Sequence, residues 1–236
     1  MSIRILSKSL AEFIHSKSDV RKNRIVLDVI ENKGPPPVTC YPGFSTPAFE
    51  MLSFPERSME IAREKELMME ARADNKFNKF DVPNTVSCLN SFARMVAFIA
   101  LQNYTFEKVP STACLEAEIN GITIFCSSKK RLFIVREGDS KSLKIGLLEF
   151  YLRKQGYRLT VEAQKTLSAI NMILLESSGV WGTVTAHRLF LVIDTYRGRI
   201  VTSDGGYRAY RTQIEDGIGE FTDRYNILRN ARDEAS

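Results

Sequence analysis

The chain has 236 residues, of which 44% are hydrophobic and 26% are charged. These proportions are typical of a globular protein with its own core, and they exclude wholesale disorder and a collagen-like fibre. The formal net charge is +5 and the isoelectric point is about 9.0, which favours polyanions as partners. The longest apolar runs, such as residues 189–193, are too short to cross a bilayer, so we expect no transmembrane segment.

Two further features of the sequence favour a reduced, intracellular protein. The first residues lack the apolar stretch of a secretory signal, so we expect a cytoplasmic location, or a virion if the protein is viral. The cysteines never occur in CxxC or CxH spacing, so we expect neither a disulfide framework nor a zinc site, and we predict no metal or other cofactor. The four cysteines are Cys40, Cys88, Cys114 and Cys126.

Residues 1–82 are nearly neutral and contain six of the eight prolines. Apolar residues at helical spacing over 6–14 predict a short amphipathic helix, and residues 24–30 predict an isolated strand. A capping box at residues 53–56 predicts a charged helix that ends near Ala73. We interpret the whole segment as an extended N-terminal arm with a proline-rich linker, because proline fixes φ and removes amide donors.

Residues 83–211 are predicted to form a core of helices and antiparallel strands with a basic face. The clearest local signal in it is Asn120-Gly121, which lies between two alternating apolar runs and is the strongest short-range indication of a β-hairpin. We therefore predict a hairpin unit over residues 114–136. Its three strands are 114–119, 122–127 and 131–136.

Capping residues and helical spacing predict four more helices. The first begins at position 84 or 85, the second covers 142–155, the third follows the cap Thr160, and the last lies in the C-terminal segment 212–236. Residues 184–194 fit either a buried strand or a helix, and we favour the strand because β-branched residues cluster there. A turn at Arg197-Gly198 then leads into another strand. The predicted fold class is α+β.

The C-terminal helix carries apolar residues spaced four and three apart, which is an a/d seam and not a broad apolar face. Either this seam packs on the chain's own core or it joins a neighbouring subunit in a homo-oligomer. Gly217 and Gly219 each lower helix propensity by roughly 1 kcal/mol, so the helix depends on packing contacts of one kind or the other. The seam residues, our candidates for self-association, are Ile214, Ile218, Phe221, Tyr225 and Leu228.

Positive charge is concentrated in the core. Residues 129–158 hold nine basic and three acidic residues, residues 188–211 hold five and two, and residues 212–236 hold three and six. Tyrosines alternate with these cations, a mixture that suits single-stranded RNA because cations neutralise phosphates and aromatic planes stack on bases. Unrelated solvated surface charges are the alternative interpretation. The candidate nucleic-acid-binding residues are Lys129, Lys130, Arg131, Arg153, Lys154, Tyr157, Arg158, Arg197, Arg199, Tyr207, Arg208, Tyr210 and Arg211.

Sequence motifs for catalysis are absent: the chain has no P-loop, GxGxxG, nucleophile elbow or HExxH. Asp194 ends a predicted buried strand and Asp204 precedes a Gly-Gly turn, so a small phosphoryl-transfer enzyme or its regulator is our third interpretation. Pairing with arginines or turn formation explains these aspartates equally well. His187, beside an apolar run, is predicted to be a packed residue. We do not expect an enzyme.

The features that converge favour a self-assembling structural protein of the viral nucleocapsid or coat type, which binds single-stranded RNA without strong sequence preference. The alternative is a matrix-type scaffold that self-associates on anionic membranes, to which each basic residue adds about 1 kcal/mol of attraction. The opposite charges of the core and the C-terminal segment suit head-to-tail assembly. The expected partners are RNA or another polyanion, further copies of the chain and, for the alternative, an anionic membrane surface.

Overall fold

The structure is a computed structural model. It describes residues 3–32, 43–71, 78–100, 104–110, 113–126, 132–137, 144–152, 159–179, 184–203 and 206–234, and the side chains of 78–81, 100 and 184–185 lie outside that description. In chain order its elements are β1 (Ile3–Leu6), α1 (Ser7–His15), α2 (Asp19–Ile30), α3 (Ser45–Ser53), α4 (Ser58–Ala71), α5 (Asn78–Ala100), β2 (Thr105–Lys108), β3 (Glu116–Ile119), β4 (Ile122–Phe125), β5 (Leu132–Glu137), β6 (Lys144–Tyr151), α6 (Val161–Ser177), β7 (Val184–Thr185), β8 (Leu191–Asp194), β9 (Arg199–Val201) and α7 (Tyr207–Glu234). The predicted α+β class is confirmed.

A six-stranded mixed sheet in the order β2-β5-β6-β8-β9 lies between two layers of helices, and β7 pairs with the start of β6. Neighbouring strands are antiparallel, except that β7 and β8 run parallel to β6. On one face α6 packs with α1, α2 and α7, and on the other face lie α3, α4 and α5. The hydrophobic core between the sheet and α3, α4 and α5 centres on Phe150 of β6, whose ring makes edge-on contacts with three other phenylalanine rings. Its partners are Phe44 (5.0 Å), Phe92 (4.7 Å) and Phe133 (5.7 Å).

A smaller sheet in the order β1-β4-β3 contains the predicted hairpin. The turn residues Asn120 and Gly121 have φ of +50° and +78°, the left-handed conformation that an Asn-Gly hairpin turn requires. β1 joins this hairpin in parallel with β4. The predicted third strand exists as β5, but it pairs with β2 and β6 in the larger sheet. The expected hairpin unit over 114–136 is therefore divided between two sheets.

Two elements were predicted with the wrong type. Residues 24–30, expected to be a strand, lie in α2, whose N-cap Ser18 accepts a hydrogen bond from the Arg21 amide (3.3 Å). Residues 142–155, expected to be a helix, contain β6. All of positions 145–151 are buried, because helices cover both faces of the sheet. The strand therefore lacks the period of two that marks a half-exposed strand.

Other predicted elements are confirmed, with shifted boundaries in places. Thr160 caps α6 by accepting a hydrogen bond from the Ala163 amide (3.1 Å). The region 184–194 contains β7 and β8, separated by a 3-10 turn, and β9 follows the turn at Arg197-Gly198. The helix expected from position 84 or 85 begins earlier, at Asn78.

The described parts of residues 1–82 do not form an extended arm. β1 is paired in the small sheet, and α1 buries Leu10, Ala11 and Phe13 against α6 and α7. α3, which the sequence did not predict, and α4 both pack on α5. Proline content was a poor guide here, since Pro47 is accommodated in the first turn of α3, where a missing amide donor costs little.

The apolar seam of α7 packs on the chain's own core, the first of the two interpretations. Ile214, Ile218 and Phe221 have no exposed surface, and the Phe221 ring meets the Phe13 ring edge-on at 5.3 Å. Tyr225 and Leu228 are partly buried against the same cluster. The three buried residues therefore offer no surface to a second subunit.

Gly217 and Gly219 provide a matched pair of tests on α7. A Cβ atom at Gly217 would lie 2.4 Å from Ile14 Cγ1, whereas no described atom lies within 4 Å of a Cβ atom at Gly219. We expect Gly219→Ala to raise the free energy of unfolding by about 1 kcal/mol, the difference in helix propensity. Gly217→Ala should lower it, because the Ile14 side chain must leave its packed position. Urea denaturation measures both, and a stabilised Gly217→Ala variant would contradict this close packing.

Candidate nucleic-acid interface

The candidate interface lies at the edge of the large sheet where β6 and β8 end, which we call the carboxyl edge. β6 and β8 are parallel, so Tyr151 and Asp194, which are register partners, both lie there. The chain enters α6 beside this edge, since the Leu159 amide donates to the Tyr151 hydroxyl (2.9 Å). In open α/β sheets, ligands bind outside the carboxyl ends of parallel strands. The carboxyl edge is therefore the candidate site.

Asp194 organises the turn between β8 and β9. Its side chain is only 2% exposed, and its Oδ2 accepts a hydrogen bond from Gln164 Nε2 of α6 (2.7 Å). Its Oδ1 accepts from the backbone amide of Arg197 (3.1 Å), three residues further along the chain, and Gly198 supplies the left-handed φ of +59°. The carboxylate thereby fixes the turn that presents the two arginines following it.

Arg197 and Arg199 hold unequal positions around that carboxylate. Arg197 is exposed, and its Nη1 donates to the Leu159 carbonyl (3.4 Å). Arg199 is half-buried, and its Nη2 lies 3.3 Å from Gln164 Oε1 and 3.6 Å from Asp194 Oδ2. Burial lowers the pKa of Arg199, the nearby Arg197 lowers it further, and Asp194 opposes both effects. Of the two cations, only Arg199 therefore lies within ion-pair distance of the Asp194 carboxylate.

A second buried carboxylate, Glu149, lies on β6 facing the same helix, and sequence analysis missed it. Its side chain is 2% exposed, accepts a hydrogen bond from Asn171 Nδ2 (2.7 Å) and pairs with Lys8 Nζ (2.9 Å). Ordinary sheet geometry puts the Cα atoms of Glu149 and Asp194 about 8 Å apart. The one signal in the sequence is a lone acid within a run of apolar residues, and it indicates a buried carboxylate only when residues 144–151 form a strand and not the predicted helix.

Each buried carboxylate thus has an amide from α6 and a cation, the pairing that buried charges need. Within the described ranges, no group of three or more His, Cys, Asp or Glu side chains could hold a metal ion. Asp204, the other aspartate considered for catalysis, lies outside the described residues. His187 is partly buried beside the Tyr207 ring (5.0 Å between centroids).

The structure separates the described members of the predicted RNA site. Arg197 and Arg199 lie at the carboxyl edge, whereas the first turns of α7 lie at the opposite edge, because β9 runs antiparallel to β8 and returns the chain. There the Tyr207 hydroxyl donates to Glu176 Oε2 (3.2 Å), and burial together with Glu176 raises the pKa of Tyr207 to about 12. The other predicted members in this group are Arg208, Tyr210 and Arg211.

Seven predicted contact residues lie outside the described part of the chain, but their described neighbours in sequence are informative. Leu132, which directly follows one basic segment, pairs with Glu149 near the end of β6, so β5 begins at the carboxyl edge. Leu152, which directly precedes the other segment, follows β6 there. The residues outside the description are Lys129, Lys130, Arg131, Arg153, Lys154, Tyr157 and Arg158.

Comparisons with known proteins add no identification, since no protein family, curated protein or solved structure matches this chain. None of the helices in the described residues is long and apolar enough to traverse a membrane.

Proposed function

We propose that this chain binds single-stranded RNA, without strong sequence preference, at the carboxyl edge of its central sheet. The observation that supports the proposal is the strand order. It places the Arg197–Arg199 turn at the same edge as Leu132 and Leu152, the described neighbours of two basic segments. The two arginines of this turn suit a phosphate backbone, which carries one negative charge per nucleotide, and in sequence the two basic segments directly adjoin Leu132 and Leu152.

The amino-acid composition of one basic segment favours single-stranded RNA over a duplex. The segment that follows Leu152 reads Arg-Lys-Gln-Gly-Tyr-Arg, so cations that neutralise phosphates alternate with a ring that stacks on an unpaired base. Such contacts tolerate any sequence, because every base has an aromatic face. Each stacked base contributes about 1–3 kcal/mol.

Size-exclusion chromatography with light scattering and the 260/280 nm absorbance ratio tests the proposal, on protein purified at low salt and at about 1 M salt. We expect nucleic acid to accompany the protein at low salt and to be removed at high salt. The stripped protein should then bind a fluorescent oligouridine of about 20 nucleotides more tightly than a duplex of equal length. Protein that binds neither oligonucleotide at low salt would refute RNA binding.

The same experiment measures assembly. The α7 seam does not offer a surface for self-association, because Ile214, Ile218 and Phe221 are buried in the chain itself. A coat-type function therefore needs a different contact surface between subunits. It predicts that adding RNA raises the number of protein copies in each particle, and hence the measured mass. Flotation with anionic vesicles, in a protein that binds no RNA, would instead support the matrix-type scaffold.

A second candidate, a phosphoryl-transfer enzyme, is favoured by one observation: Glu149 and Asp194 are buried carboxylates on neighbouring strands beside a candidate ligand edge. Paired carboxylates of this kind can act as general acid and base. If it is correct, the wild type shortens labelled RNA with or without Mg²⁺, and Asp194→Asn leaves the RNA intact while its circular dichroism stays unchanged. Wild-type protein that leaves the RNA intact would exclude a phosphoryl-transfer enzyme that cleaves RNA.

A further inference from the structure

The turn between β8 and β9 has more positive charge than its own carboxylate offsets. Asp194 Oδ1 is used by the Arg197 backbone amide, and Oδ2 is shared by Gln164 and Arg199. No ion pair between the Arg197 guanidinium and an acidic group occurs among the described residues. One full positive charge at this turn is therefore left without a counter-charge in the described structure.

Arg197 and Arg199 also have more N–H donors than there are acceptors for them in the described structure. A guanidinium has five N–H donors, and the exposed Arg197 uses Nη1 on the Leu159 carbonyl at a long 3.4 Å. The Nε of Arg199 is buried and has no hydrogen-bond partner in the described structure. Burial and the neighbouring Arg197 also lower the pKa of Arg199, as expected where two cations are held close together. An anion beside Arg197 would accept hydrogen bonds from its exposed guanidinium and offset the positive charge that the two arginines hold close together.

We infer that Arg197 and Arg199 form one phosphate-binding subsite, in which the Arg197 guanidinium contacts a phosphodiester group of the bound strand and Arg199 contributes a second, half-buried positive charge. This inference rests on the proposed function, since it assigns a phosphate contact within the RNA interface. Asp194 and Gln164 are positioning residues here: Asp194 holds the turn, and Gln164 contacts both Asp194 and Arg199. Phosphate is the appropriate class of ligand because a planar guanidinium matches its oxygens in a bidentate geometry.

The salt dependence of oligouridine binding tests this subsite. Each phosphate contact on a single strand contributes about −0.7 to the slope of log K against log salt concentration. We expect Arg197→Gln to make the slope shallower by about that amount and to weaken binding about fivefold at about 0.1 M salt. The variant Arg197→Lys retains the charge and should retain the slope.

Arg63→Gln is the matched control. It removes the same charge from an exposed arginine, but from α4, which is outside the set of candidate contact residues. It should leave the slope unchanged, and circular dichroism should show that both glutamine variants are folded. If Arg197→Gln keeps the wild-type slope, or if the two glutamine variants lose equal affinity for oligouridine, the subsite is refuted but RNA binding is not. Failure of the wild type to bind oligouridine would instead refute the proposed function.

Discussion

Replacement of Lys8 by methionine is expected to lower the free energy of unfolding by about 3 kcal/mol, because it leaves a buried carboxylate without its counter-charge. Lys8 Nζ lies 2.9 Å from Glu149 Oε1, and the two side chains are 17% and 2% exposed. Breaking a buried ion pair by removing one partner costs about 3–5 kcal/mol. Lys8 is partly solvated, so the lower end of that range applies. Urea denaturation at neutral pH measures the difference.

Two further variants show whether the loss of stability comes from the unpaired negative charge of Glu149. In Lys8→Met/Glu149→Gln no charge is left buried, and Asn171 still has an oxygen acceptor, so most of the lost stability should return. Lys17→Met removes an equal charge from an exposed position and should change stability by less than about 0.5 kcal/mol. If the double variant is no more stable than Lys8→Met, then the loss comes from the contact of the Lys8 ammonium with the Tyr151 ring (5.9 Å to the ring centre), and not from the unpaired Glu149 carboxylate.

Elements with local signals were predictable from the sequence. The Asn120-Gly121 turn and the Thr160 cap are each specified within a few residues, because turn conformation and capping depend on neighbouring backbone groups. β6 was not predictable in this way. Its burial comes from helices that lie far away in sequence on both sides of the sheet, so its pattern of apolar residues carried no strand period.

The candidate interface likewise has residues that the sequence identifies and a spatial grouping that it does not. Composition identified Arg197 and Arg199 as basic residues near aromatics, but it could not show that they share an edge with Leu132 and not with Arg208. That grouping follows from the pairing of β5 with β6 and of β6 with β8, which joins residues up to 62 positions apart, as in Leu132 and Asp194. Glu149 was missed because its role depends on Lys8, which approaches from α1.

Substitution of Gly146 by alanine is the other change with a large expected effect, a loss of about 3 kcal/mol in the free energy of unfolding. Gly146 lies in β6 opposite Val135, where the 3-10 turn before β8 crosses close to the strand. A Cβ atom at this position would lie 2.3 Å from the Leu189 carbonyl oxygen and 2.4 Å from Leu189 Cβ. Neither atom can move by side-chain rotation, so the backbone of the turn must shift.

The test compares urea denaturation of Gly146→Ala with that of Gly219→Ala, the same chemical change in open space. We expect opposite signs, with a lower midpoint for Gly146→Ala and a higher one for Gly219→Ala. The close approach at Gly146 also sets how β6 and β8 lie together, since residues 187–189 lead directly into Phe190 and β8. A Gly146→Ala variant as stable as the wild type would show that this turn separates from β6 at little cost. The register of Tyr151 with Asp194, on which the carboxyl edge depends, would then have to be maintained by the strand hydrogen bonds alone.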